Sequence, residues 1–206
     1  MDIDGDDRII HMDTALVLDS RPWTVDGANS VRIGADRFVA DRFELRSGDE
    51  ALIIRTPGNT LDIVLEQFRI PTIANLITNK DSFPIADGRI YGTVRLPLED
   101  EQGLNADLTI HDLALLNTAL GTLDVDLTDR GKERYHGVAE LSHTSNQLDA
   151  TVDIAPEQLQ ANAELDLNDI GFLEPFLSNY IYELGGGLDG KLAYRQQGER
   201  STAEGR

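Results

Sequence analysis

The chain contains no cysteine, so neither a disulfide framework nor a thiolate metal site can form. That absence fits any redox compartment, including an oxidising one entered without structural disulfides. Positive charge is scarce: 18 basic residues face 37 acidic ones, for a formal net charge of −19. This balance argues against a nucleic-acid partner, because neutralising phosphates takes an excess of Lys and Arg. It argues equally against charge-driven docking on an anionic membrane surface. No run is long and apolar enough to span a bilayer. The start, Met1-Asp2-Ile3-Asp4-Gly5-Asp6-Asp7, lacks the basic end and apolar stretch of a signal peptide. If the parent protein is exported, its targeting segment is expected outside this chain.

Catalytic signatures are missing too. There is no G-x-S-x-G, no P-loop and no H-E-x-x-H. His11, His111, His136 and His143 share no metal-ligand spacing. Asp2, Asp4, Asp6 and Asp7 superficially resemble a calcium loop, but the glycine is misplaced and no bidentate Glu follows at the right distance. Carboxylate pairs such as Asp124 and Asp126 alternate with aliphatic residues, as a solvated face does, and so do not read as a glycosidase pair. A non-enzymatic protein without metal or other cofactor is expected.

What is present is periodic. The chain has 206 residues, 40% of them apolar and 27% charged, enough for a core with a soluble exterior. Leu159, Ala161, Ala163, Leu165 and Leu167 alternate with Gln160, Asn162, Glu164 and Asp166. The same alternation places Leu148, Ala150, Val152 and Ile154 against Asp149, Thr151 and Asp153, and Leu123, Val125 and Leu127 against Asp124, Asp126 and Thr128. Ala106, Leu108 and Ile110, and Ile90, Val94, Leu96 and Leu98, repeat it. Successive strand side chains leave opposite faces, so each run predicts a half-buried strand. Earlier strands are expected at residues 15–18, 23–25, 31–33, 42–45, 51–54 and 61–65. Turn signals such as Asp26-Gly27, Pro57-Gly58-Asn59 and Asp129-Arg130-Gly131 separate the runs. No helical crossovers are visible, so the architecture is all-β and antiparallel. The polar, aperiodic residues 196–206 are expected to be a frayed, disordered end after a single unit covering 1–195.

Two short segments have helical spacing: Ile70, Ile73, Leu76 and Ile77, then Ile170, Leu173 and Leu177. Pro71 suits a first helical turn, and Pro175 limits the second segment. Each precedes a Gly-spaced strand, in which Gly88 and Gly92 match Gly186 and Gly190 at an offset of about 98 residues. Such a repeat suggests an elongated array, with glycines at bends or close backbone approaches. Trp23, after Arg21-Pro22, reads as a core or edge plug. The aliphatic faces fit either of two arrangements. One is an ordinary sandwich core. The other is a curled sheet whose aliphatic face stays open for an apolar ligand. Periodicity does not separate them.

The order of motifs resembles the TamB family, relatives of AsmA. It runs from Trp23-Thr24-Val25, Ser30-Val31-Arg32-Ile33 and Phe43-Glu44-Leu45-Arg46-Ser47 to Leu61-Asp62-Ile63-Val64-Leu65-Glu66-Gln67-Phe68. It continues through Ile73-Ala74-Asn75-Leu76-Ile77, Asp87-Gly88-Arg89-Ile90-Tyr91-Gly92 and Ala106-Asp107-Leu108-Thr109-Ile110. Ala119-Leu120-Gly121-Thr122-Leu123-Asp124-Val125 and Phe172-Leu173-Glu174-Pro175-Phe176 complete it. The resemblance implies a periplasmic segment of an inner-membrane-anchored protein, with the anchor outside this chain. It implies a sheet rolled into an elongated half-pipe, a β-taco, with an apolar lumen. It further implies phospholipid movement between inner and outer membranes, with an outer-membrane barrel partner of the Omp85 type and a role in outer-membrane protein assembly and secretion. A chaperone-like scaffold that pairs its sheet edge with nascent barrel strands is the alternative. The expected groove lining is Leu61, Ile63, Leu65, Ile90, Val94, Leu96, Leu108, Ile110, Leu123, Val125, Leu127, Leu148, Val152, Ile154, Leu165, Leu167, Leu188 and Leu192, in contact with phospholipid acyl chains. Open edges at the ends would allow copies to associate edge to edge.

Overall fold

The computed structural model describes residues 2–4, 7–18, 20–34, 38–77, 86–98, 103–115, 118–144, 146–171, 185–198 and 200–206. In chain order the elements are β1 (Asp2–Asp4), β2 (Asp7–Ile10), β3 (Ala15–Leu18), β4 (Arg21–Val25), β5 (Ser30–Ile33) and β6 (Phe38–Asp41). Then come β7 (Phe43–Ser47), β8 (Glu50–Arg55), β9 (Thr60–Arg69), the helix α1 (Ile70–Ile77), β10 (Ala86–Pro97) and β11 (Asn105–Leu115). The chain continues with β12 (Thr118–Asp129), β13 (Tyr135–His143), β14 (Asn146–Ala155), β15 (Gln158–Leu167), β16 (Leu188–Gln197) and β17 (Arg200–Gly205). The alternating runs therefore form strands, as their period demands, and the fold is all-β.

Thirteen strands make one antiparallel sheet, in the order β17-β16-β15-β14-β13-β12-β11-β10-β9-β8-β7-β4-β3. From β7 to β17 each strand pairs with its sequence neighbour in a meander, with longer connections only between β9 and β10, where α1 lies, and between β15 and β16. The first strand, β3, and the last, β17, do not pair with each other, so the sheet is an open ribbon and not a barrel. β1, β2, β5 and β6 form a separate four-stranded sheet.

Two expectations change, and three strands are added. Arg42 does not begin a strand: its φ of 49° makes it a bend between β6 and β7. Residues 196–206 are not a frayed end, because β17 pairs along β16 from Gln197↔Arg200 to Leu192↔Gly205. Backbone pairing holds this strand although its side chains are polar and exposed. β1, β2 and β6 carry too few residues to show a period. The second helical segment lies, from residue 172 onward, outside the described residues.

Bulges bend the sheet beside α1. In the β9–β10 pair, register runs from Ile90↔Phe68 to Gly92↔Leu65, so Glu66 and Gln67 oppose Tyr91 alone, and Gln67 has a φ of 50°. β11 has a matching irregularity near Asp112, whose φ is 53°. An extra residue re-phases the strand and strengthens its twist. Between these bulges the backbones of β10 and β11 close up at Gly92. A Cβ there would lie 2.0 Å from the Asp107 carbonyl oxygen, at a φ of 129° that side chains avoid.

Candidate functional site

Residues opposite each other in an antiparallel register share a face. Following the register from strand to strand assigns the face of every expected groove residue. One row runs Phe68, Ile90, Ile110, Leu123, Leu141, Leu148 and Leu165. The next runs Leu65, Gly92, Leu108, Val125, Ala139, Ala150, Ala163 and Leu192. A third runs Ile63, Val94, Ala106, Leu127, Gly137, Val152, Ala161 and Tyr194. Leu61 pairs with Leu96, Ile154 with Leu159, and Leu167 with Leu188, all on the same side. Every expected lining residue thus lies on one continuous apolar face. The rows run across the strands, along the length of the ribbon.

Within β13 to β15 the second row narrows to Ala139, Ala150 and Ala163. It forms a shallow trough beside the larger side chains of Leu141, Leu148 and Leu165. The opposite face carries Asp107, Thr109, Asp124, Asp126, Glu140, Asp149, Glu164 and Asp166, which keeps it wetted.

Cover over the apolar face is graded. At the β4–β9 end it is closed. Trp23, Val25, Leu45 and Phe68 make a buried cluster, with Leu16, Leu18, Phe43, Leu52, Leu65 and Ile73 packed against it. The Trp23 and Phe68 rings lie 5.6 Å apart, so Trp23 is a core residue here. From β10 to β15 most of the apolar residues are only half-buried. At the far end Ile154 is 38% exposed, Leu188 45% and Leu192 52%. Among the described residues the apolar face is a packed core under α1 and mostly a half-exposed strip beyond it, where Leu113, Leu120 and the expected groove residue Leu167 are nevertheless buried, at 8%, 8% and 4% exposure. A hollow of about 590 Å³ near β14 to β17 lies against the polar face, and one of about 770 Å³ sits at the strand ends of β13 to β16, taking in residues of both faces, Ile154 and Leu159 among them. The apolar strip is an open surface there.

A polar clasp fixes the closed end. Glu50, on β8, is buried and pairs with Arg21 of β4. Arg21 also donates to Thr72 Oγ1 of α1 at 2.9 Å, and Thr72 donates to Glu50 Oε2 at 3.3 Å. The Arg69 backbone N–H donates to the same carboxylate at 3.2 Å. Burial would raise the Glu50 carboxyl, but the hydrogen bonds and positive charge around it outweigh that and hold it below the usual range. The Arg21 guanidinium also stands 5.4 Å from the centre of the Trp23 ring. The sequence reading missed this clasp, since nothing in the spacing of Arg21, Glu50 and Thr72 links them.

The histidines go to separate places. His11 Nδ1 meets the Asn29 carbonyl oxygen at 2.7 Å, His111 stacks edge-on to Tyr91, and His136 Nδ1 meets Asp153 Oδ1 at 2.7 Å. Among the described residues no three His, Asp or Glu side chains are grouped to hold a metal ion, and no helix is long and apolar enough to cross a membrane. No family model, curated protein or solved structure matches the chain.

Proposed function

We propose that this chain is a segment of a lipid conduit of the TamB kind, carrying phospholipid acyl chains along its apolar face between the two membranes of a bacterial envelope. The observation that carries this reading is the set of uninterrupted apolar rows, which stay half-exposed across many strands. At about 4.8 Å per strand, the rows from β10 to β16 extend for about 30 Å. That matches the hydrocarbon thickness of a whole bilayer, about 30 Å, so it exceeds one leaflet's acyl chain. Each methylene transferred from water is worth about 0.8 kcal/mol. The rows offer similar contacts at each strand and no polar anchor, so a bound chain can slide. In this reading the protein binds and guides and does no chemistry. It works in the periplasm, and an Omp85-type barrel is met through the parent protein.

One observation favours a second reading. β17 is a fully exposed edge strand whose outer backbone groups are free to pair. A chaperone-like scaffold for outer-membrane barrel strands would use that edge and leave the apolar rows idle.

Native mass spectrometry of the purified chain, with organic extraction of what it carries, separates the two. Co-purified phospholipid or fatty acid is the expected result. A lipid-free chain that also fails to take up a fluorescent fatty acid would remove the conduit reading and leave the edge-pairing one.

A further inference from the structure

The polar face is not uniformly acidic. From β9 to β16 four of its cations stand beside an acceptor. Arg95 pairs with Asp62 at 2.9 Å, Lys191 with Glu164 at 2.7 Å and Arg69 with Asp87 at 3.9 Å, while Arg89 donates to Gln67 at 3.1 Å. Three arginines depart from this pattern and line one hollow of about 770 Å³: Arg130, Arg134 and Arg195. Their side chains have no hydrogen-bond or ion-pair partner among the described residues.

Two carboxylates stand close by, and one of them, Asp153, lines the hollow together with His136. Asp129 accepts from the Gly131 N–H at 2.8 Å and from the Gly103 N–H at 2.7 Å. Asp153 meets His136 at 2.7 Å. The turn between β12 and β13 is closed by Arg130 N–H to Arg134 O at 2.8 Å, so both arginines leave the same hydrogen-bonded turn. Arg195 arrives from β16, across the hollow. The lining also carries the amides of Gln158, Gln160 and Gln197, while the Gln196 amide is taken up by Tyr194 and the Gly198 carbonyl.

We infer that this hollow is an anion site for a phosphorylated, hydroxyl-bearing ligand, with the chemistry of a sugar phosphate. Guanidinium groups recognise phosphate through paired, charge-assisted hydrogen bonds. Amide side chains both donate and accept, which suits hydroxyl groups. The site's three arginines sit at the strand ends, away from the middle of the apolar rows, and the inference stands independently of the conduit reading. The ligand is either a soluble sugar phosphate or a lipid headgroup of the same chemistry.

The test follows backbone amide resonances of Tyr135, Gln160 and Arg195 in the full chain during titration with glucose 6-phosphate, glucose and inorganic phosphate. Glucose 6-phosphate is expected to shift them saturably, and to bind at least about tenfold more tightly than either alternative. The triple variant Arg130→Gln/Arg134→Gln/Arg195→Gln is expected to lose that binding. A control that removes the same charge elsewhere, Arg8→Gln/Arg32→Gln/Arg55→Gln, is expected to keep it. Equal binding of glucose and glucose 6-phosphate would overturn the anion site, as would equal losses in the two triple variants. Equal binding of inorganic phosphate would overturn the sugar assignment. Competition by dihexanoyl phosphatidylglycerol, and none by dihexanoyl phosphatidylcholine, would assign the ligand as a headgroup. Absence of competition by both would assign it as soluble.

Discussion

Among single residues, Glu50 has the most to lose. It is buried, ionised and held by groups from three elements, β4, β9 and α1. Its carboxyl titrates lower in the folded chain than the ordinary value of about 4.3. A depressed carboxylate stabilises the fold above the unfolded pKa and loses that contribution as pH falls through the folded one. Glu50→Gln should therefore be less stable than the parent at pH 7, and the gap should narrow as pH drops below about 4.3. Urea unfolding of both proteins at pH 7 and at pH 3 measures it. A gap unchanged between the two would mean that the carboxylate charge contributes nothing. Arg21→Ala leaves the carboxylate buried without its cation and should cost about 3 kcal/mol at pH 7, the low end for such pairs because Arg21 is partly exposed.

The elements were legible in the sequence where side-chain period and solvent exposure agree. β12, β14 and β15 alternate cleanly because one face is apolar and the other wet. The same alternation, carried through the register, put every expected groove residue on one face. Legibility failed where backbone geometry overrides period. Phe68 and Leu113 stay buried on the apolar face three residues after Leu65 and Ile110, because the bulges at Gln67 and Asp112 re-phase their strands. A strict period of two would expel both. β17 was illegible for the opposite reason: Arg-Ser-Thr-Ala-Glu-Gly has no apolar face, and backbone pairing to β16 alone places it. Its role follows from that pairing. It covers an edge of β16, whose Leu188 and Leu192 are already exposed. Unpaired edges beside apolar side chains invite pairing with another copy. Deleting residues 199–206 should leave the rest of the sheet intact by circular dichroism and shift the sedimentation profile from monomer toward dimer. A variant that stays as monomeric as the parent would deny β17 any protective function.

At the scale of the whole molecule, the sheet has one apolar face in two physical states. Under α1 that face is a core, and a charge placed in it has no water to reach. Beyond β10 it is mostly a half-exposed strip, interrupted by the buried Leu113, Leu120 and Leu167, and a charge at its half-exposed positions can still be hydrated. Alternation alone left core and groove open, because period reports which side a residue takes and not what lies over it. The difference yields a paired prediction. Val125→Glu and Leu165→Arg sit on the strip, on β12 and β15, and should unfold within about 1–2 kcal/mol of the parent. Val25→Glu, 5% exposed in the closed cluster, should lose at least about 4 kcal/mol or fail to fold. If the strip carries acyl chains, the two strip variants should bind a fluorescent fatty acid several-fold more weakly while keeping the parent's far-ultraviolet dichroism. Each interrupts rows that an acyl chain must cross, so either alone should suffice. Should Val125→Glu and Leu165→Arg unfold as Val25→Glu does, the strip is core along its whole length and no acyl chain can enter it. Folded variants that bind fatty acid as well as the parent would separate binding from the rows, and the exposed β17 edge would then be the surface left to explain what this sheet holds.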